Sequence, residues 1–509
     1  MIKIKPENVK YTTPEGAYNA GELWYKKKLT NTETGEEFYQ VRPIFMVERN
    51  DGKMDVSVPF LYKFFQKSEI CVLLRNGALD SEIRYIYRNG VYNTANDSDI
   101  MRILMKYIED YNIRYVNPGV LKQALELNDC TCEHYMHDVM NTDEDYINFQ
   151  NGILNIRTMK FSKHTPKLMS SIQIPCQWSG VETPTPVFDS FLDTLTGGNK
   201  QTQLLILEYM GAILSNVQGW RFKKAMFLLG EGDTGKSTLI NLITLLLGSG
   251  NVAERDLRSL NERFGKTAAY NKRLIYSNDL PFMKIEENAI FKNLTGGDTI
   301  AIEYKNKEPF DFKFKGLLLY GMNSLPHFGG DKGEHVYNRI IIIRCDNVIP
   351  KEKKDPNMEK KLYAERNGII YKCVVALREA INRNYRFSIT QDCIDNLTEY
   401  KKENSTPVEF WSTFLRPLTA DENPVLSSQK LYDNFRRWCT MQGITRIPSA
   451  PEFRKEVSNY CKKSWSKLTK RTSKGMQMTT HTMNKAWENE YEFHPEGGYW
   501  QYTEDIPKD

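Results

Sequence analysis

No apolar run in this chain approaches the roughly 18 residues that a membrane-spanning helix needs. The leucine runs at 245–247 and 317–319 and the isoleucine run at 340–343 are short, and the opening Met1-Ile-Lys-Ile-Lys-Pro6 lacks the apolar stretch of a secretory signal. A dense cysteine pattern is missing too: nine cysteines spread over 509 residues do not form a disulfide framework and fit reduced thiols. There is no internal repeat and no low-complexity tract, which excludes collagen-like chains and wholesale disorder. Charge of one sign is scarce. The balance of 69 Lys and Arg against 64 Asp and Glu leaves +5, too little to name a nucleic-acid partner unless the positive charges cluster. These absences predict a soluble, intracellular protein of a reducing compartment with no membrane partner.

What is present is an ordinary globular composition, 40% hydrophobic and 12% aromatic, at a length that argues for about three domains rather than one. The first 180 residues read as a mixed α+β region. Tyr85-Ile-Tyr-Arg-Asn-Gly-Val-Tyr92 predicts a hairpin turning at Asn-Gly, followed by a helix that Asn96-Asp-Ser-Asp99 caps and Ile100, Ile103, Leu104 and Ile108 punctuate at helical spacing. A second hairpin is predicted over 147–156, and Val181-Glu-Thr-Pro-Thr-Pro186 reads as a linker. Leu204, Leu205, Leu207, Met210, Ile213 and Leu214 predict an amphipathic helix in a helical segment at 187–219. An α/β segment follows at 220–350, then a helical extension at 351–404 and a C-terminal module at 405–509.

The α/β segment carries the chemistry. Ala225-Met-Phe-Leu-Leu229 is a buried-strand pattern, the loop Gly230-Glu-Gly-Asp-Thr-Gly-Lys-Ser-Thr238 follows, and the apolar residues after it predict a helix ended by Gly248. Gly230, Glu231, Gly232, Asp233, Thr234 and Gly235 form a wrap whose backbone amides and helix N-terminus suit phosphates. Lys236 is expected at the β and γ phosphates and Ser237 at Mg²⁺, with Thr238 completing the site and ATP as the nucleotide. A chance match of this length is expected in only roughly one or two per cent of chains of this size.

About 40 residues on, Arg273-Leu-Ile-Tyr-Ser-Asn-Asp279 predicts a strand delivering Asp279 as the second Mg²⁺ ligand. A third strand ends at Asn323, expected to orient the attacking water or touch the γ-phosphate at the strand edge where open α/β sheets place ligands. Arg339 precedes Ile340-Ile-Ile-Ile343, with a guanidinium to aim at transition-state charge, and Arg344 at the far end of that strand is the second choice.

This order of elements, with Lys292-Asn-Leu-Thr-Gly-Gly-Asp298 between them as its most discriminating piece, resembles the superfamily 3 helicases and more narrowly their phage and plasmid primase-helicase type. The whole chain is similar to replication initiators of staphylococcal pathogenicity islands. The resemblance implies an AAA+-like P-loop NTPase core, six subunits in a ring, ATP between neighbours, and catalysis by Lys236, Asp279 and Asn323 with Arg339 supplied from the adjoining copy. It also implies a hairpin over 300–310 lining a central channel, where Tyr304, Lys305 and Lys307 meet single-stranded DNA. One departure concerns the acid strand. Family members often carry two adjacent acids there, whereas Asn278 precedes Asp279, so the water-activating base stays unassigned.

In the C-terminal module, Ser427 or Ser428 caps a helix carrying Leu431, Phe435 and Trp438, and Ser449-Ala-Pro-Glu452 is a capping box for a second helix. Two capped helices followed by Arg454, Lys455, Lys462, Lys463, Lys467, Lys470, Arg471 and Lys474 predict a winged-helix-like domain binding duplex DNA, which the resemblance makes origin DNA. No metal-binding pair of aspartates is evident before residue 90, which predicts a separate primase as partner. Cys130, Cys132, His134 and His137 match no common zinc module and are read as ordinary side chains. The expectation is an ATP-dependent, ring-forming DNA helicase and replication initiator in a bacterial host cytoplasm, for which the resemblance implies movement 3′ to 5′. The alternatives are an ATP-regulated origin-binding switch and a duplex translocase.

Overall fold

The computed structural model describes residues 4–75, 82–136, 139–285, 287–303, 305, 309–328, 334–419, 421–444, 447–473, 475–484, 487, 491–494 and 499–502. In the N-terminal region the Asn-Gly hairpin forms as the sequence predicts, Glu82–Arg88 against Val91–Thr94, with Asn89 (φ 52°) and Gly90 (φ 84°) both in the left-handed region that a tight turn requires. It belongs to a four-stranded sheet completed by Ile70–Arg75 and Glu133–Met136. The helix Asp97–Asn112 begins at a capping box between Asn96 and Asp99, and Ile100, Leu104 and Ile108 are buried on one face of it.

The centre of the chain is a five-stranded sheet. Its strands are β1 (Ala225–Leu229), β2 (Val252–Glu254), β3 (Leu274–Leu280), β4 (Leu317–Met322) and β5 (Ile340–Arg344), in the spatial order β2-β3-β4-β1-β5, all parallel. Parallel strands covered on both faces read as unbroken apolar runs, and every residue of β4 and the first four of β5 are buried. Strand alternation divides these runs between two cores. Met226, Leu228, Leu319, Ile341 and Ile343 face α1 (Pro186–Leu195), α2 (Lys200–Leu214), α3 (Lys236–Leu247) and α5 (Arg366–Asn382). Ala225, Phe227, Leu318, Tyr320, Ile340 and Ile342 face α4 (Ala289–Gly296), a hairpin of Thr299–Ile302 with Phe310–Lys313, and Tyr400 on α6 (Gln391–Glu403). The chain is a mixed α/β protein built on a parallel sheet.

The sequence-based boundary near residue 180 does not coincide with a gap in packing. Ile147, Phe149, Leu154, Ile174 and Trp178 lie in the same core as α1, α2, α3 and α5, so the hairpin of Tyr146–Phe149 with Gly152–Asn155 belongs physically to the central unit. The segments 187–219, 220–350 and 351–404 likewise share that core. The pattern of local elements marks strands and helices well, but it carries no record of which of them bury the same surface. The C-terminal residues do have their own core. Phe410, Phe435, Trp438, Phe453, Val457 and Met478 join α7 (Thr406–Phe414), α8 (Ser428–Met441), α9 (Ala450–Tyr460) and the hairpin Thr469–Thr472 with Gly475–Met478. Ser427 caps α8, and Ser449 and Glu452 form the expected box on α9. No helix among the described residues is long and apolar enough to cross a membrane.

Candidate functional site

The first strand of this sheet in chain order, β1, lies between β4 and β5, so the sheet reverses its order there and leaves a crevice at the C-terminal strand ends. The glycine loop enters that crevice. Gly230 donates its N–H to the carbonyl of Met322 at 3.1 Å, and Cys345 donates to Leu229 at 2.7 Å, which extends the sheet one residue past β1. A Cβ at 230 would lie 2.1 Å from the Cys345 carbonyl oxygen, so that strand approach requires glycine. Beyond it the loop passes through two left-handed residues, Asp233 (φ 65°) and Gly235 (φ 93°), before α3 begins at Lys236. The segment after β5 holds the loop from outside: Ile349 donates to the Asp233 carbonyl at 2.9 Å, and Lys354 pairs with the Asp233 carboxylate at 2.6 Å.

Lys236 folds back over the loop. Its ammonium donates to the carbonyls of Gly230 (2.7 Å) and Glu231 (2.6 Å) and to Thr234 Oγ1 (3.2 Å), which engages all three of its N–H donors. The side chain is buried, and burial holds the ammonium below the ordinary lysine value, with Cys345 and Asp279 pulling the other way. A cation kept partly desolvated beside a helix N-terminus is matched to an anion that approaches from the open side. Ser237, in the first turn of α3, is exposed toward that side.

Asp279 owes its position to a β-bulge. Ser277 pairs with Tyr320 and Leu280 with Met322, so Asn278 and Asp279 together oppose the single residue Gly321. A Cβ on Gly321 would lie 2.6 Å from the Asn278 carbonyl oxygen. Gly321 is thus part of how the carboxylate is aimed. Asn278 is also fixed. The Glu359 carboxylate accepts from Asn241 Nδ2 at 2.7 Å, and Asn241 Oδ1 accepts from Asn278 Nδ2 at 3.1 Å. A carboxylate only accepts, so this chain orients both amides and leaves Asn278 Oδ1 as its unpartnered end. An amide cannot take a proton from water as a second acid would.

The residues 232–238, Asn278, Asp279 and Asn323 line one cleft, so the structure brings together Gly232, Asp233, Thr234, Gly235, Lys236, Ser237, Thr238, Asp279 and Asn323. Gly230 and Glu231 line the adjoining cleft, which shares Asn323. Arg339 is not among them. It precedes β5 at the opposite edge of the sheet, roughly 16 Å away at about 3.3 Å per residue over the five residues of β1. There its guanidinium sits on the last turn of α4, donating to the Lys292 carbonyl (3.2 Å) and Thr295 Oγ1 (3.1 Å), and its Nε donates to the His335 carbonyl at 2.9 Å. A Cβ on Gly296 would stand 3.0 Å from Arg339 Nη1, and one on Gly297 (φ 73°) would collide with Trp220 at 2.5 Å. The Thr-Gly-Gly motif is therefore the seat of Arg339, a link that two separated sequence motifs do not reveal. Arg344 is at the cleft edge instead, paired in register with Leu229.

The predicted channel hairpin forms, with Ile300, Ile302, Phe310 and Phe312 buried in alternation. Lys305 lies exposed in the turn, while Tyr304 and Lys307 lie outside the described residues. In the C-terminal module Lys455, Lys462, Lys463, Lys467, Lys470 and Arg471 are exposed and Arg454 is half-buried, whereas Lys474 lies outside the described residues. Lys470 and Arg471 are consecutive on one strand and project from opposite faces, so the two do not form a single patch. Cys130 lies in the last turn of the helix Pro118–Thr131 and His134 on the following strand, with Cys132 between them; His137 lies outside the described residues.

Three family profiles match the chain: "D5 N terminal like" over residues 75–197, "Family of unknown function (DUF5906)" over 228–339, and "Poxvirus D5 protein-like" over 402–492. A protein of Acanthamoeba polyphaga mimivirus named "Putative helicase L207/L206" is 23% identical over 390 residues, covering 70% of this chain and 39% of the relative. The chain thus spans well under half of that relative's length. Two apo structures of the NrS-1 C-terminal region align with 83% of this chain and 99% of theirs, at 13% identity with a TM-score of 0.42 and at 12% identity with a TM-score of 0.45. The two D5-type profiles lie toward either end of the chain and flank the segment that the DUF5906 profile matches.

Proposed function

We propose that this protein is an ATP-dependent, ring-forming DNA helicase that initiates replication, of the superfamily 3 type and similar in plan to the initiators of staphylococcal pathogenicity islands. The observation that carries the reading is the single cleft in which Lys236, Ser237, Asp279 and Asn323 converge at the switch point of the sheet. The loop amides and Lys236 hold a triphosphate, Ser237 and Asp279 are the hard oxygen donors for Mg²⁺, and Asn323 positions the attacking water or the γ-phosphate. The ion, when bound, neutralises charge on the phosphates. Asn278 is an orienting acceptor in this scheme, not the base.

Arg339 acts on the neighbouring copy. Its place at the far edge of the sheet suits action between subunits and not within one, and this supports a ring, for which the family resemblance gives six members. Lys305, with Tyr304 and Lys307, grips single-stranded DNA from the hairpin turn, and the C-terminal module, taken as winged-helix-like, holds duplex origin DNA through its lysines and arginines. A separate primase completes the replication start.

Strand displacement on a forked duplex with ATP and Mg²⁺, comparing the intact protein with Lys236→Ala, tests this. Unwinding by the intact protein alone is the expected result. Fork binding and ATP hydrolysis that leave both the fork and a tailed duplex paired would replace the helicase by the origin-binding switch or the duplex translocase.

A further inference from the structure

Arg344 closes β5 beside Leu229, the residue from which the glycine loop springs. It lines a second cleft with Gly230, Glu231 and Asn323, and Asn323 also lines the cleft of Lys236 and Asp279, so the two clefts share that residue. The guanidinium is about half exposed and loosely held, 3.5 Å from Glu399 and 3.5 Å from Asp346. Pairs of that length in partly exposed positions are weak, so a better anionic partner can displace them. A triphosphate seated on the loop presents one. Loop amides cover the α and β phosphates, which leaves the terminal phosphate toward Lys236 and Asn323, and Asn323 is the residue that the Arg344 cleft shares.

Glu399 is on α6, which has a second attachment to this strand and a direct connection to the C-terminal module. Asn396 donates to the Ile342 carbonyl at 3.3 Å, and Tyr400 donates to the Pro326 carbonyl. Immediately after α6, Asn404 donates to Tyr337 at 2.8 Å, and Ser405 donates to Glu456 on α9. One helix therefore runs from the Arg344 cleft to the basic module.

We infer that Arg344 contacts the terminal phosphate of the nucleotide held by its own chain, leaving Glu399 to do so, and that α6 thereby reports the nucleotide state to the C-terminal module. The inference rests on the reading of the glycine loop as a nucleotide site. Arg344 differs from Arg339 in serving its own chain, and it is occupied by ATP but not by ADP.

The test titrates the full-length protein, with Mg²⁺, against fluorescent ATP and ADP analogues, and against a labelled duplex in the presence of ADP or a non-hydrolysable ATP analogue. Arg344→Ala is expected to weaken the ATP analogue roughly tenfold while leaving ADP unchanged, as loss of one charge-assisted contact does. Arg344→Lys should keep part of that preference. Glu399→Gln should keep or raise the preference for ATP and abolish the difference in duplex affinity between the two nucleotide states. A wild-type ATP-to-ADP ratio in Arg344→Ala, with both nucleotides weakened in Lys236→Ala, overturns the inference and leaves the nucleotide site standing. An unchanged nucleotide effect on duplex affinity in Glu399→Gln overturns the role of α6. Failure of the wild-type protein to bind either nucleotide overturns the nucleotide site and the inference together.

Discussion

Ala225 donates its backbone N–H to the carbonyl of Arg339 at 2.7 Å, at the end of β1 farthest from the glycine loop. Since β1 and β5 are parallel, this bond sets Arg339 at one edge of the sheet and Lys236 at the other. On the proposed reading the two serve one reaction only across a subunit boundary. Lys236→Ala and Arg339→Ala proteins should each lose ATP hydrolysis, and a mixture of the two should recover part of it, because some boundaries then pair an intact loop with an intact arginine. Steady-state hydrolysis across mixing ratios reads this directly. Stable mixed oligomers without any recovery would count against Arg339 acting between copies.

Gly321→Ala should reveal the bulge that aims Asp279. The added methyl meets the Asn278 carbonyl at 2.6 Å, against backbone with little freedom to move. Overpacking of this kind costs about 1–3 kcal/mol. A loss of that size in urea denaturation, accompanied by a larger fall in Mg²⁺-dependent hydrolysis than in folded fraction, is the expected outcome.

Among the described residues that line the loop cleft, Asp279→Asn removes the only carboxylate apart from Asp233, which Lys354 already engages. Hydrolysis should fall by roughly two orders of magnitude, the scale of losing one strong charge-stabilising contact in a transition state. Nucleotide affinity without Mg²⁺ should change far less. Equal losses of affinity with and without the metal would assign Asp279 to folding and not to metal binding.

Burial lowers Lys236 below its ordinary 10.5. Phosphate favours the protonated ammonium, so nucleotide binding takes up a proton wherever the free chain has lost one. Affinity should therefore fall as pH rises through the lowered Lys236 value, before 10.5 is reached. Folding has the corresponding sign: the unfolded lysine holds its proton more tightly, so the cost is complete below the lowered value and fades as pH climbs toward 10.5. Calorimetric titration of nucleotide in two buffers of different ionisation heat measures the uptake. A flat profile in which Lys236→Arg matches the wild type would remove Lys236 from the phosphate contact.

Duplex binding by the C-terminal module should weaken with salt along a line whose slope counts phosphate contacts. Lys470 and Arg471 point to opposite faces of one hairpin strand, so the two single alanine variants should differ. The variant facing the duplex should flatten the slope by roughly one, and the other should leave it unchanged. Equal slopes for wild type and both variants would move the duplex contact off this hairpin.

The chain's sequence alone determined everything that rests on local order. The strand, glycine loop and helix at 225–247, the Asn-Gly hairpin at 89–90, the cap at Asn96 and the capping box at Ser449 all form as read, because turn glycines, caps and apolar periodicity act within a few residues of one another. Tertiary structure alone decided the matters of side and neighbour. The hairpin at 146–155 joined the central core, Gly321 became the counterpart of a bulge, Gly296 became the seat of Arg339, and Arg344 came to the cleft edge while Arg339 went to the other. The physical reason is that strand order and edge follow from burying apolar surface between segments tens to hundreds of residues apart. Local patterning specifies that a strand exists, whereas only the packed sheet specifies which strands flank it and which of its two ends meets the loop cleft.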